Sequence, residues 1–324
     1  MNSFDKIPLV SISCITYNHK EFIQDALNGF IMQETNFPFE VLVHDDCSTD
    51  GTTDVIREYA EKYPDIIKPL YEQENQYQNG KPYGTRVWNL PRAKGKYIAM
   101  CEGDDYWTDP LKLQKQVDFL ESHPEYGMCY TRVQYYDQQK LKVRATWGGS
   151  NETFEDLLIK NTVPTLTAII KTDLFRKYHN EQFPDKHNWL MGDYPLWLYV
   201  SAISKIKFSP EITGIYRVLS NSASHSSSIL QKYRFNKSYK EIAECFMTKY
   251  SDRVNNGIRD RFFMGKYNLL LPLALAVGDD SEIKEAKNYL SNRSKSLKLR
   301  MLTLPPVMIA PILRLRYHIR GWKK

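Results

Sequence analysis

The first 135 residues alternate short apolar runs with stretches of helical period, and the runs end in polar or acidic residues. Run 10–15 is apolar and β-branched and stops at Thr16-Tyr17-Asn18; 21–33 then places Phe22, Ala26, Phe30 and Ile31 at helical spacing. Run 39–43 stops at His44-Asp45-Asp46, a turn follows through Ser48, Asp50 and Gly51, and 54–63 reads as a helix. Strands are expected at 66–71 and 97–101, the latter ending in Glu102-Gly103-Asp104-Asp105, then a helix at 110–123 and a strand at 126–135. Strands that alternate with helices imply βαβ units, so the expected fold is α/β and Rossmann-like, a mostly parallel central sheet flanked by helices.

That fold has a chemical consequence. In such sheets ligands bind outside the carboxyl ends of the strands. Both acidic clusters, Asp45/Asp46 and Glu102/Asp104/Asp105, fall there, on one rim, although far apart in sequence. Crowded carboxylates repel unless they share a cation or a proton. Oxygen ligands suit a hard cation, and Mg²⁺ commonly uses one or two carboxylates and completes its shell with water and phosphates. The rim therefore predicts a divalent cation, Mg²⁺ or Mn²⁺, holding a diphosphate.

Beyond residue 150, 192–204 reads as a helix, 206–218 as extended, and 229–250, 255–277 and 280–291 as helices. The 324 residues carry a net charge of +6, unevenly placed. Residues 286–324 hold ten Lys or Arg and no acid, which leaves 34 basic against 38 acidic groups before them. A cationic attachment on a mildly acidic body argues against a nucleic-acid enzyme. The apolar stretch 301–313 is short and broken by Pro305, Pro306 and Pro311, so no spanning helix is expected. Ile312, Leu315, Ile319 and Trp322 form one stripe flanked by arginines and lysines, the pattern of a helix lying on an anionic membrane or docked on protein. Five scattered cysteines without a CxxC pair, and no signal peptide, point to a reducing cytoplasmic compartment.

Three segments resemble glycosyltransferase family 2, which has the GT-A fold. Val10 to Asn18 is similar to that family's opening strand, and Val41 to Thr52 (VLVHDDCSTDGT) to its nucleotide-binding VDDGSTDGT segment. Ala93 to Ala99 with Glu102 to Trp107 is similar to its AKGEYI…DADDYW segment, which contains the DxD motif. The resemblance covers about residues 8–225, two thirds of the chain.

The resemblance implies roles residue by residue. Asp46, with Asp45 beside it, would recognise base or ribose, and Thr16 and Tyr17 would flank the nucleotide. Arg86 would contact base or phosphate, although Val87 stands where the family has Asn. Asp104 would hold the metal, with Glu102 replacing the first Asp of the motif; Gly103 and Asp105 would complete the donor site. Met191 to Trp197 is similar to the family's xEDxxLW helix start, which makes Asp193 the candidate base; it also suits a helix cap, and the two roles can coexist. Tyr216 to His225 is similar to the closing YRxHxxSxS segment, with Arg217 set against diphosphate charge and His225 as a further metal ligand. Trp107, Trp189 and Tyr194 are candidate acceptor platforms, with core packing as the alternative.

Together these imply a metal-dependent inverting glycosyltransferase. It would move sugar from a nucleotide donor, UDP-sugar favoured, to a glycan or lipid-linked acceptor in cell-surface polysaccharide or glycolipid synthesis. The expected organisation is a GT-A domain over 1–225, a helical extension over 226–295 offering a homodimer face, and a basic tail over 296–324 at the inner face of the plasma membrane. The competing expectation is a catalytically weak nucleotide-sugar-binding or scaffold protein, for which Glu102 and Gly192 leave room. A dinucleotide-dependent dehydrogenase is disfavoured, because no GxGxxG turn follows the first strand.

Overall fold

Val10–Thr16 (β1) is buried along its entire length, as a strand covered on both faces must be. A computed structural model describes residues 7–182, 186–219, 228–291 and 293. In it β1 pairs in parallel with Phe39–Asp45 (β2) on one side and Tyr97–Met100 (β4) on the other. Beyond β2 lies Ile67–Tyr71 (β3), also parallel. Ser11 and Ser13 face one side of this apolar strand and are satisfied there: Ser11 donates to Glu40 at 2.7 Å, and Asn89 donates to Ser13 at 2.8 Å.

The full strand order is β3-β2-β1-β4-β8-β6-β9-β5, with β7 paired to β6. The later strands are Tyr106–Trp107 (β5), Tyr126–Asp137 (β6), Lys142–Trp147 (β7), Ile169–Lys171 (β8) and Lys205–Val218 (β9). The sheet is parallel through β3-β2-β1-β4. It turns mixed beyond, because β8 runs antiparallel to both β4 and β6, and β5 antiparallel to β9. Order reverses between β1 and β4, the switch point where ligands enter such sheets.

Helices form where the apolar spacing demands them. Ile23–Ile31 (α1) buries Ile23, Ala26, Leu27 and Phe30, spaced three and four apart. Its Gly29 faces the β5 backbone, where a Cβ would come within 2.9 Å of Trp107 N. Thr52–Lys62 (α2) starts from Gly51, whose φ of +98° suits glycine. Then come Thr85–Trp88 (α3), Lys112–Ser122 (α4), Phe154–Ile159 (α5), Thr172–Gln182 (α6) and Asp193–Ile203 (α7).

Two compact units result, one drawn from Met1–His187 and Leu196–Leu219, the other from Asn188–Pro195 and Ser220–Lys324. The second holds Ile229–Lys249 (α8), Asn256–Val277 (α9) and Asp280–Ser291 (α10), matching the expected helices within a residue or two. Ser228 and Asn255 cap α8 and α9 through their side chains. Tyr267, Leu270, Leu271, Ala274, Ile283 and Leu290 form this unit's core. No helix among the described residues is long and apolar enough to cross a membrane. His225 and the tail 296–324 lie outside the described residues.

Candidate active site

The first strand brings the two acidic clusters together. Thr16 registers opposite Asp45, Asp46 N donates to Thr16 O at 3.1 Å, and Gly103 N donates to Ile15 O at 3.0 Å. The loops after β2 and β4 thus flank the end of β1. A cleft of about 370 Å³ opens here, lined by Thr16, Tyr17, Asp46, Glu102 and Asp104. Five of the donor and metal residues expected from sequence meet in it.

The rim is built by its motif residues. Ser48 Oγ accepts Asn18 N–H at 2.9 Å, Thr52 Oγ1 accepts His19 N–H at 2.8 Å, and Asp50 accepts Lys20 N–H at 3.0 Å. The Ser-Thr-Asp-Gly-Thr turn therefore moulds the loop after β1. Gly103 is forced by close approach, since a Cβ there would lie 2.5 Å from Thr16 Oγ1.

The two neighbouring aspartates do different work. Asp45 is buried and accepts Ser48 N–H at 3.1 Å and the Thr53 hydroxyl, which fixes the turn. Asp46 accepts the backbone N–H groups of Gln76 at 2.8 Å and Tyr77 at 3.1 Å. It thereby holds the 72–84 loop over the cleft, which Tyr77 and Tyr83 also line. Tyr77 and Tyr83 meet edge to face at 5.5 Å, and Gln78 reaches the Tyr17 hydroxyl at 3.2 Å. Aromatic faces beside a carboxylate suit a nucleobase.

Asp105 and Arg217 stand behind the lining. Asp105 accepts Arg217 N–H at 2.7 Å, and Arg217 Nη1 donates to Asp104 O at 2.8 Å while Nη2 pairs with Asp25. The guanidinium stacks 4.4 Å from the Tyr106 ring. Burial, then the charges of Asp104 and Glu102, pushes the Asp105 carboxyl well up from its ordinary value. Arg217 thus braces the acidic loop. Arg86 sits half-buried on α3, next to the cleft-lining Thr85.

Sequence reasoning passed over His19, Tyr77 and Tyr83, which line the cleft. His19 Nδ1 lies 3.1 Å from Thr16 Oγ1, and burial lowers its pKa. Its only sequence signal was its place three residues after Thr16. The tyrosines lie in a polar loop without periodicity.

The aromatic expectations need correction. Trp107 is 1% exposed; its Nε1 donates to Leu166 O at 2.6 Å and its ring meets Phe30 edge to face at 5.0 Å. It is a core residue and offers no face to a sugar. Tyr194 is fully buried with Tyr239 stacked on it at 4.0 Å, which covers that ring too. Trp189 is half-buried, its ring 6.2 Å from Phe246, and stays a candidate. Asp193 opens α7, and its Oδ1 lies 2.7 Å from the Tyr194 N–H.

No group of three His, Cys, Asp or Glu converges among the described residues. Asp104 and Glu102 both line the cleft, and the Asp104 carboxylate takes no hydrogen bond among the described residues. Two carboxylates fit a cation that takes its remaining ligands from water and phosphate.

Fold and rim define an α/β protein with an acidic cleft at the switch point of its sheet. Comparison with known proteins narrows this. The family model for glycosyl transferase family 2 matches residues 11–191, more than half of the chain. An uncharacterized protein of Mycobacterium tuberculosis is 37% identical over 67% of this chain and 61% of its own length. The UDP-Glc:alpha-D-GlcNAc-diphosphoundecaprenol beta-1,3-glucosyltransferase WfaP of Escherichia coli is 28% identical over 67% of this chain and 80% of its own. Among solved structures, S. aureus TarS 1–349 in complex with UDP-GlcNAc aligns at TM-score 0.54 and 18% identity, covering 86% of this chain and 89% of that one. Mannosyltransferase PcManGT from Pyrobaculum calidifontis, with GDP-Man and Mn²⁺, aligns at TM-score 0.57 and 16% identity over 98% and 86%. These structural likenesses carry the GT-A fold alone. The chain belongs to glycosyl transferase family 2. It spans 61% of the length of the mycobacterial relative.

Proposed function

We propose that the protein is an inverting glycosyltransferase that takes a sugar from a nucleotide-diphosphate donor, UDP-sugar favoured. One observation carries this reading: Asp46, Glu102 and Asp104 share a cleft with Thr16 and Tyr17 at the switch point. The likeness to WfaP, named for a UDP-Glc donor and a diphosphoundecaprenol-linked acceptor, supports a UDP-sugar donor and a lipid-diphosphate-linked acceptor. Cell-surface polysaccharide or glycolipid synthesis follows as the setting.

In this mechanism Tyr17, Tyr77 and Tyr83 enclose the base, and Asp46 keeps the loop over it. Asp104 and Glu102 would hold Mg²⁺ or Mn²⁺, which when bound supplies positive charge against the leaving diphosphate. Arg217 keeps the Asp104 loop in place through its backbone oxygen. Asp193 accepts the proton of the acceptor hydroxyl as that oxygen attacks the anomeric carbon, a contribution of about 10²–10⁴-fold. A single displacement inverts the anomeric centre. We also assign the basic tail to an anionic surface at the inner face of the plasma membrane, and the helices over 229–291 to a homodimer face.

The test is UDP release from a panel of UDP-sugars with Mn²⁺ and a glycolipid extract. Release that disappears in Asp104→Asn supports the reading. Tight donor binding without release or transfer favours the scaffold alternative.

A further inference from the structure

Lys266 lies half-buried on α9 with its ammonium 3.2 Å above the centre of the Tyr239 ring. Two other lysines of this unit have acids: Lys237 meets Asp279 at 2.9 Å, and Lys240 meets Glu282 at 2.9 Å and Glu285 at 3.0 Å. Among the described residues no carboxylate pairs with Lys266. Burial pulls its ammonium down to about 7. A ring beneath an ammonium returns less than withdrawing the ion from water costs. The cation is thus left short of compensation, and an arriving anion would supply it.

Its surroundings say where that anion would sit. The Tyr239 ring stacks on Tyr194, the residue after Asp193. Leu190 N donates to Ser238 Oγ at 2.9 Å, which ties the segment carrying Trp189 and Asp193 to α8 beside Tyr239. Lys266, Tyr239, Tyr194 and Asp193 all belong to one compact unit.

We infer that Lys266, seated on Tyr239, binds an anionic group of the acceptor substrate beside the segment that carries Asp193. The acceptor assignment rests on the reading of Asp193 as the base; anion binding at Lys266 does not. The shared chemistry is an anionic oxygen, which a lipid-linked phosphate or the carboxylate of an acidic sugar can provide.

The test footprints the wild-type chain, so no variant has to fold. Lysines are acylated at pH 7 with a trace of labelled acetic anhydride and read individually by mass spectrometry, with pyrophosphate, glucuronate or sodium chloride at matched ionic strength. A ligand at ten times its dissociation constant should slow acylation of Lys266 about ten-fold and leave exposed Lys62 and Lys177 unchanged. Protection by pyrophosphate alone assigns a phosphorylated group, and protection by glucuronate alone the carboxylate of an acidic sugar. Equal protection by sodium chloride, or none by any anion, overturns the inference. Nucleotide stabilisation measured on the same preparation separates that failure from failure of the glycosyltransferase reading.

Discussion

Thr16 and Gly103 touch across the rim so closely that a Cβ at position 103 would lie 2.5 Å from the Thr16 hydroxyl. That approach sets the width between the end of β1 and the acidic loop. Gly103→Ala should push the loops apart, costing about 1–3 kcal/mol as an overpacked site does. Donor affinity should fall with it. Thermal unfolding and nucleotide titration of the variant check both.

Asp193→Asn should bind donor as the wild type does and turn over at least about a hundred-fold more slowly, the lower end of an acid-base contribution. Separate measurement of donor affinity and kcat distinguishes this from a folding defect. Unchanged turnover would leave Asp193 as a helix cap only.

Trp107→Phe should act on stability and not on acceptor KM. The substitution removes the indole donor to Leu166 O and leaves a void. The expected cost is about 1–3 kcal/mol, from one unsatisfied buried carbonyl plus lost packing. Chemical denaturation alongside acceptor kinetics decides it, and a raised acceptor KM at full stability would return Trp107 to the site.

Stability should fall in acid partly through Asp279. Its carboxylate accepts Glu282 N–H at 3.0 Å and pairs with Tyr233 and Lys237, which holds its pKa well below the ordinary value. A depressed folded pKa stabilises above the unfolded pKa of about 4 and loses that contribution as pH falls through the folded value. Asp279→Asn should therefore weaken the protein at pH 7 by about 1 kcal/mol, as lost caps do. The gap to wild type should narrow below about pH 4. Paired melting curves at pH 7 and pH 3 read it directly.

Much of the fold is legible in the sequence because its signals are local. The strands at 10–15, 39–43 and 97–101 and the helices beyond 228 appear nearly where apolar periodicity and caps put them. Strand pairing is not local. Tyr106–Trp107 is too short to show alternation, and it is a strand only because β9 returns beside it. The acidic rim was legible because βαβ order puts strand ends together. The division of labour between Asp45 and Asp46 was not, since identical neighbours separate only when the 72–84 loop folds onto one of them. Trp107 misled for a related reason: an aromatic beside a motif reads the same whether it faces core or cleft.

The cleft at the ends of β1, β2 and β4 should bind a nucleotide diphosphate. Thermal unfolding of the wild type and Asp104→Ala with UDP, GDP and dTDP, each with and without Mn²⁺, tests this. UDP should stabilise the wild type, and more so with Mn²⁺, by about 2.7 kcal/mol at a hundred times the dissociation constant. Asp104→Ala should lose the Mn²⁺-dependent part. No shift with any nucleotide, or a shift indifferent to both Mn²⁺ and Asp104, would contradict it.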